Sequence, residues 1–439
     1  MNALFRTFAD CRVCGSIDFA KEFDLGFTLP MHAYLCAEQL DQSAARVPAP
    51  KVLFHNYYRV RKSSFTNVRA IENTKCGEGM TKERFLLCDD DALRSNSLNL
   101  MRLFFATLVV FSHAFPLTAG SNANEPLFLF SKGHTTLGRL AVDAFFSISG
   151  FLIIRSYLVA PTIDEYFRKR VLRIYPAYIA AIAISALLAA LTVDNPLHFL
   201  REMIGRESVL DTLTLKYGAL EEAGRSFIGN AYRGVNGSLW TIQYEFLAYC
   251  CIAAYGLFKL FRFRALWLSL IAALLLINGR SAASFGESDV LMEFVAFFAA
   301  GVTAYVFRDR IVRSRMLAVV SLLVLIAALR LSPWLAVLTP LAATYLLLYV
   351  AAFGLPRVFT WTRTTDLSYG VYLYAFPIEQ SLIYWFRMRD PVLLFFVALV
   401  PTFALALMSW RFIERPSLSL KHTWNGTGVH VKTDVGKAT

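Results

Sequence analysis

Repeated apolar segments limit the folds open to this chain more than any other feature of its sequence. Between Asn99 and Ile413 these segments run for roughly 18–22 residues, the length that a helix needs to cross a hydrocarbon core of about 30 Å. Backbone polar groups have no water partner inside a bilayer, so helices are the default spanning structure. No segment shows the two-residue alternation of a membrane barrel strand. The sequence therefore predicts an all-α integral membrane protein.

The composition agrees with this fold class. Hydrophobic residues make up 56% of the chain and charged residues only 17%, whereas soluble domains carry roughly 25% charged residues. The net charge of +12 comes from basic residues in short loops between apolar segments. That placement fits membrane topology and lipid headgroups, so we do not expect nucleic-acid binding. Cys250 and Cys251 lie inside an apolar segment, so a disulfide framework is not expected either.

About ten transmembrane helices are predicted. They cover residues 98–117, 136–157, 171–193, 238–258, 264–279, 289–307, 316–330, 334–354, 367–386 and 391–413. Lys and Arg are concentrated in every second connection, namely residues 158–170, 259–264, 308–315 and 355–366. Because basic loops stay on the cytosolic side, we expect both termini in the cytosol. The longest connection, about 194–237, then lies outside and is long enough to form a cap.

Composition divides the chain into three parts. Residues 1–95 form a polar cytosolic extension of unassigned role, residues 96–416 the membrane domain, and residues 417–439 a short cytosolic tail. The extension contains Cys11 and Cys14, a spacing that two thiolate ligands of one zinc ion can have. No second pair with this spacing follows, so we favour unpaired thiols over a metal site.

Arg102 and His113 are two ionisable residues within the first predicted span. Each costs about 2.5–3.5 kcal/mol at mid-membrane unless it finds a partner or water. Eleven residues at 100° each exceed three full turns by only about 20°, so both side chains share one helix face, roughly 16 Å apart along the axis. An imidazole there can accept a proton from a hydroxyl. The alternative is a snorkelling arginine and a histidine hydrogen-bonded between helices.

Three acidic residues within the predicted spans are candidates for a function. Asp143 of the second span can pair with Arg102, Arg139 or His113. Glu245 lies in the fourth span, where an unpaired carboxylate is costly and is expected to face the interior. Glu293 of the sixth span permits the same interpretation, with less support.

Small and aromatic residues adjoin these carboxylates. Ser149 and Gly150 allow close approach of a neighbouring helix, and Trp240 suits an interfacial position. Arg170 and Arg173 lie on one face at the predicted cytosolic edge, because residues three apart are neighbours on a helix. Guanidinium groups suit phosphates, and coenzyme A carries several. The alternative for this pair is membrane topology alone.

Together these pieces resemble acyltransferase family 3, bacterial membrane enzymes that O-acylate sugars of surface and exported polysaccharides. The resemblance runs from about Leu98 to Pro416. It rests on Arg102 with His113, VDAFFSISGFLI (142–153), RVLRIYP (170–176), WTIQYE (240–245), LSYGVYL (367–373) and FIERP (412–416). It implies Arg102 and His113 as the functional pair, Arg170 and Arg173 as contacts to the acyl donor, and Trp240 and Glu245 as parts of the same cavity.

The chain departs from the family pattern in two places. Many members carry a histidine before the Phe-Pro of the ninth span, where this chain has Ala375. His113 is therefore the only histidine that we assign to the membrane, which excludes a relay between two histidines. Some relatives carry a fused esterase-like domain, whereas only a short tail follows Arg415. We therefore expect the membrane domain, or a separate partner, to complete the transfer.

These observations predict a membrane enzyme of the bacterial inner membrane. It would move an acetyl or other short acyl group from acyl-CoA, with acetyl-CoA the expected form, to a hydroxyl of a cell-surface or exported saccharide. His113 would be the base, Asp143 or Glu245 would orient it, and Ser149 and Gly150 would line the substrate cavity with Trp240. We expect no permanently bound cofactor and no metal.

Two other functions stay open from the sequence. A transporter or flippase of lipid-linked saccharides also uses intramembrane charges, although no inverted repeat is visible. A membrane sensor that reads its ligand through residues 1–95 is a third interpretation.

Overall fold

The computed structural model describes residues 97–216, 226–281, 287–330, 337–353 and 357–420, which belong to one compact unit. This part of the chain is all-helical and contains no β-strand. The predictions for the extension, with Cys11 and Cys14, and for the tail beyond residue 420 lie outside the described residues. The proposed division into three parts therefore stays a prediction.

The helices follow one another in chain order. They are α1 Leu98–Ala119, α2 Pro126–Phe130, α3 Leu137–Val159, α4 Ile163–Ala190, α5 Pro196–Met203, α6 Arg206–Leu213, α7 Trp240–Leu257, α8 Arg264–Ser281, α9 Glu287–Val306, α10 Arg315–Arg330, α11 Thr339–Ala351, α12 Ser368–Phe386, α13 Pro391–Ser409 and α14 Arg415–Ser419. Short 3₁₀ turns cover Leu260–Arg262 and Arg357–Arg363, and a π-helical turn, Trp410–Glu414, joins α13 to α14.

Four described helices are long and apolar enough to cross a membrane. They are α1, α3, α4 and the continuous helix Pro391–Ser419, which comprises α13 and α14. Shorter apolar helices cover Arg264–Asn278, Val290–Val306 and Thr339–Ala351. A helix lies at each of the predicted spans, so the helical membrane class is confirmed. The count of ten spans and the cytosolic position of both termini stay predictions.

Local sequence explains where several helices begin and end. The Thr136 side chain accepts from Arg139 N at the start of α3, and the Thr162 side chain accepts from Glu165 N at the start of α4. Such hydroxyls satisfy backbone amides that have no partner within the helix. Helix α1 ends at Gly120, whose φ of 74° is the left-handed conformation that glycine adopts without steric cost.

Close contact between α3 and α9 organises the centre of the described fold. A Cβ at Gly150 would collide with the carbonyl oxygen of Phe298, and one at Gly301 would collide with that of Ser147. Two glycines facing each other bring the helix backbones together, as is common in membrane helix pairs. This contact fixes the rotation of α3 and hence the direction in which its polar side chains point.

Helices α1 and α12 form a second contact, through apolar faces. Ala106 and Val110 of α1 pack in one cluster with Val371 and Ala375 of α12. One or two turns further along, Ala114 and Leu117 of α1 pack with Phe376 and Ile383 of α12. The two helices therefore stay in register over the length of α1 that separates Arg102 from His113.

Candidate active site

A cavity of about 50 Å³ lies between α1, α3, α7 and α12. This volume holds a few water molecules or a small acyl group. Its polar lining consists of Arg102, Ser149, Thr241, Glu245, Ser368, Tyr369 and Tyr372. The structure thus brings together three residues singled out from the sequence, Arg102, Ser149 and Glu245, although they come from three different helices.

An ion-pair network closes the Arg102 end of the cavity. Asp366 Oδ2 accepts from Arg102 Nη1 at 2.9 Å and from Arg173 Nη2 at 2.6 Å. Asp366 Oδ1 accepts from the Ser368 hydroxyl at 2.5 Å. Arg173 Nη1 also lies 3.5 Å from Glu414 Oε2. One carboxylate therefore holds two guanidinium groups at the cavity wall.

The charge on Asp366 is stabilised by its neighbours. Burial alone would raise the pKa of this carboxyl, but the guanidinium groups of Arg102 and Arg173 and the donors of Ser368 outweigh burial. The pKa of Asp366 therefore lies well below its usual range, and the carboxylate stays ionised at any physiological pH. Arg102 keeps a fixed counterion beside the cavity.

Glu245 forms the opposite polar wall. Its Oε1 accepts from the Ser149 hydroxyl at 2.8 Å and from the Tyr249 hydroxyl. Across the same cavity the Thr241 and Tyr372 hydroxyls are hydrogen-bonded at 2.7 Å. These pairs tie α7 to α3 and α12, so the wall is held by side chains on helices rather than on loops.

Arg170 and Arg173 lie behind the aromatic part of this wall. The Arg170 guanidinium lies over the Tyr249 ring at 5.8 Å, and Arg173 lies over the Tyr369 ring at 5.5 Å. Arg170 donates to Ser156 Oγ at 3.3 Å, and its buried Nε has no hydrogen-bond partner among the described residues. Both arginines are thus near the cavity, but Arg173 is engaged with carboxylates.

His113 lies beyond the lining of this cavity. Its ring meets the Phe376 ring edge-on, with centroids 5.3 Å apart, and its buried Nδ1 has no hydrogen-bond partner among the described residues. Phe376 is one turn along α12 from the cavity residue Tyr372, a rise of about 6 Å. The imidazole is therefore packed between α1 and α12, one helical turn from the cavity.

Asp143 belongs to a second polar cluster, between α3 and α9. Its carboxyl is 2% exposed and faces the Glu293 carboxyl and the Arg139 guanidinium. Glu293 Oε2 accepts from Arg139 Nε at 2.5 Å. The sequence left Arg102, Arg139 and His113 open as partners of Asp143. Of these the structure provides Arg139, together with Glu293.

Gly150 and Trp240, which we predicted in the substrate cavity, are not among its lining residues. Gly150 faces α9 at the glycine contact described above. The Trp240 ring packs against the rings of Tyr244 and Phe294, at 5.7 and 5.6 Å between centroids. Both therefore shape the wall from behind.

Asp366 and Glu414 are parts of the site that sequence reasoning did not select. Glu414 lies within the FIERP segment of the resemblance, but its side chain was given no role. Asp366 lies in the loop 355–366, whose basic residues we had interpreted only as a signal of membrane topology. The available signal was indirect: two arginines within the helices of a membrane domain require a carboxylate partner.

Comparisons with known proteins identify the family of this chain. An O-acetyl transferase of Shigella phage Sf6 is 28% identical over 342 residues, covering 74% of this chain and 97% of that protein. Nodulation protein 10 of Rhizobium leguminosarum bv. viciae is 26% identical over 360 residues, covering 74% of this chain and 94% of that protein. No solved structure matches significantly. The model of the family described as an acyltransferase domain matches residues 95–411, so the chain belongs to acyltransferase family 3 and is an acyltransferase.

Proposed function

We propose that this acyltransferase moves an acetyl or other short acyl group from acyl-CoA to a hydroxyl of a cell-surface or exported saccharide. The observation that carries the proposal is the shared face of α1. On this face Arg102 lines a cavity large enough for a short acyl group. His113 contacts Phe376, which lies one turn of α12 beyond that cavity. The phage relative is named an O-acetyl transferase, which supports a hydroxyl acceptor. Membership of an acyltransferase family removes the support for a transporter.

In the proposed reaction His113 takes the proton from the acceptor hydroxyl as its oxygen attacks the thioester carbonyl carbon. The carbonyl oxygen becomes negatively charged, while Arg102, roughly 16 Å from His113 along α1, binds the acyl donor at the opposite end of the cavity. The carbon–sulfur bond then breaks, the sulfur leaves with the electron pair, and His113 returns the proton to it. The products are the ester and free coenzyme A. A covalent acyl-histidine would use the same groups in two steps.

We assign the two donor-binding arginines different tasks. Arg173 is held by Asp366 and Glu414, so it positions Asp366 and, through it, Arg102. Arg170 has a partnerless Nε and a position over Tyr249, so it is the better donor to a phosphate of coenzyme A. Both lie near the start of α4, which the basic-loop rule places at the cytosolic face of the bacterial inner membrane.

The carboxylates that we expected to orient His113 have other partners. Asp143 faces Glu293 and Arg139, and Glu245 holds Ser149 and Tyr249. We therefore propose that Glu245 shapes the donor cavity and that Asp143 maintains the contact between α3 and α9. The packing against Phe376 then fixes the ring plane of His113.

The test is transfer of label from radioactive acetyl-CoA to a saccharide fraction. The acceptor is surface saccharide isolated from a strain that lacks the protein. Mild alkali first removes the ester groups of this saccharide, which frees its hydroxyls. The intact chain in detergent should label this fraction, and His113→Ala should reduce labelling by roughly 10²–10⁴-fold, the usual contribution of a general base. His134→Ala, which removes an exposed histidine, is the matched control. Normal labelling by a monodisperse His113→Ala preparation would defeat the proposal.

A further inference from the structure

Several buried polar groups without a hydrogen-bond partner among the described residues belong to the parts of α1, α12 and the segment 226–239 that pack at Phe376. They are His113 Nδ1, Asn230 Oδ1, Ser238 Oγ and both carboxyl oxygens of Glu379. Glu379 is 0% exposed, Ser238 1% and Asn230 7%. Buried polar groups are normally hydrogen-bonded, because leaving one unpaired is costly. Several together indicate a place that a polar ligand occupies.

Two of these groups come from the packed pair α1 and α12. The rings of His113 and Phe376 meet at 5.3 Å. Glu379 follows Phe376 by three residues on α12, so the two side chains are neighbours on the helix surface. Tyr372, which lines the donor cavity, lies one turn before Phe376 on the same face of α12. Glu379 lies about one turn after Phe376 on that face. The buried carboxyl and the imidazole thus flank one aromatic ring.

The other two groups come from the segment between residues 226 and 239. The Tyr232 ring meets the Phe376 ring at 5.7 Å between centroids, and a Cβ at Gly237 would lie 2.7 Å from that ring. Ser238 follows Gly237 directly, and Asn230 precedes Tyr232 by two residues. The segment therefore covers the middle of α12, around Phe376.

Gln380 fixes this covering segment in place. Its Nε2 donates to the carbonyl oxygens of Tyr232 and Gly234, both at 2.8 Å, and its Oε1 accepts from Asn230 Nδ2 at 2.8 Å. The Asn230 amide nitrogen is thereby used, which leaves Oδ1 as a free acceptor. Hydrogen bonds to Gln380 therefore hold the covering segment, and with it Asn230 and Ser238, in a defined position.

The chemistry of the group favours a ligand that donates hydrogen bonds. The Asn230 amide oxygen accepts, and the Glu379 carboxyl and the Ser238 hydroxyl each offer acceptor oxygens as well. Tyr232 adds an aromatic ring that is 41% exposed and can cover the apolar face of a sugar ring. Acceptors beside an exposed aromatic ring suit a saccharide, whose hydroxyls supply the donors.

We propose that Glu379, Asn230 and Ser238 form the subsite for the acceptor saccharide, with its reactive hydroxyl at His113. This inference rests on the proposed function, because it identifies the residues that bind the second substrate of the same reaction. Glu379 and Asn230 Oδ1 accept from sugar hydroxyls, and Ser238 completes the subsite from the covering segment. Phe376 borders this subsite on the side of the acyl cavity beside Tyr372.

The experiment compares the KM of each substrate in variants of the intact chain in detergent. The substrates are radioactive acetyl-CoA and the alkali-treated saccharide fraction. Glu379→Leu should raise the KM of the saccharide about tenfold while the KM of acetyl-CoA changes less than about twofold, because one substrate hydrogen bond is lost. Glu379→Gln keeps an acceptor oxygen, so it should stay within about threefold of the original KM. Ser238→Ala should raise the saccharide KM about threefold.

Thr402→Val is the matched control, because Thr402 is another buried hydroxyl without a partner among the described residues. It lies on α13 and should leave both KM values unchanged. If Glu379→Leu does not yield a monodisperse protein, Ser238→Ala decides the question. The subsite would be overturned if the saccharide KM were unchanged in Ser238→Ala and Glu379→Leu, or if the KM of saccharide and the KM of acetyl-CoA rose equally. Transfer by the original chain would in that case still uphold the proposed function. Absence of transfer by the original chain and by Thr402→Val would remove both.

Discussion

Replacing Asp366 with asparagine tests whether the two cavity arginines depend on one carboxylate. The Asp366 side chain is 13% exposed, and its partners Arg102 and Arg173 are 18% and 17% exposed. These values are low enough that solvent screens the ion pairs only weakly. Asparagine keeps the oxygen that accepts from Ser368 but loses the charge. The two guanidinium groups would then face each other without their shared counterion.

The expected cost follows from breaking a buried pair. Removing one partner of such a pair costs about 3–5 kcal/mol, because the remaining charge stays buried without compensation. Glu414 still lies 3.5 Å from Arg173, and the amide oxygen remains an acceptor. We therefore expect Asp366→Asn to lower the free energy of unfolding by about 2–4 kcal/mol. Acyl transfer should fall as well, because Arg102 loses its fixed position at the cavity.

The assay is reversible unfolding in mixed micelles, in which the fraction of denaturing detergent is increased and helix content is followed. Asp194→Asn is the matched control, because Asp194 is exposed, and it should change the unfolding free energy by less than about 0.5 kcal/mol. The double variant with Arg102→Gln should lose less than the sum of the single variants, since both changes remove the same ion pair. Equal stability of Asp366→Asn and the original chain would refute the network as a structural element. Additive losses would refute the coupling of Asp366 to Arg102.

Three further predictions follow from the described contacts. Across pH 5–8 the difference in unfolding free energy between the original chain and Asp366→Asn should stay constant. The pKa of Asp366 is lowered in the folded state, so its carboxylate stabilises the fold above the unfolded pKa of about 3.9 and loses that contribution only as pH falls toward the folded pKa. A difference that shrinks near neutral pH would contradict the pairing. Gly150→Ala should lower the unfolding free energy by about 1–3 kcal/mol, because its Cβ would meet the Phe298 carbonyl on α9, and unchanged stability in the same micelle assay would exclude this contact. Arg170→Gln should raise the KM of acetyl-CoA about tenfold and leave the KM of the saccharide unchanged, since a charged hydrogen bond to phosphate contributes about 1.5–3 kcal/mol. Initial rates measured at varied acetyl-CoA and saccharide concentrations test this prediction.

Much of the fold could be predicted because membrane helices are set by local composition. A helix lies at each of the apolar segments identified from the sequence. The shared face of Arg102 and His113 followed from helical geometry alone, since both lie on α1. Long apolar helices have few alternative structures in a bilayer, so their positions can be predicted from one sequence.

Partners between helices were harder to predict, because they depend on rotation and packing. Asp143 faces Glu293 because α3 packs along α9 at Gly150 and Gly301, and nothing in a linear pattern specifies that pairing. Asp366 was missed because it stands in a basic loop. Glu379 lies in a predicted span and carried the same signal as Glu245, a carboxylate that is costly in a bilayer, but it was not selected. The neighbours of both residues become known only from the packing of the helices.

The arrangement of α1 and α12 gives a physical reason for placing two substrates next to each other along one face of α12. In the proposed reaction the acyl donor occupies the cavity beside Tyr372, and the saccharide occupies the subsite beside Glu379. Both positions lie on one face of α12, and Phe376 borders both of them, in contact with His113. A helix holds such side chains at a fixed separation better than a loop does, and acyl transfer requires the reacting atoms within about 3–3.5 Å. The apolar contact of Ala114 and Leu117 with Phe376 therefore determines the distance between base, acyl carbon and hydroxyl, and packing of α1 on α12 becomes part of the chemistry.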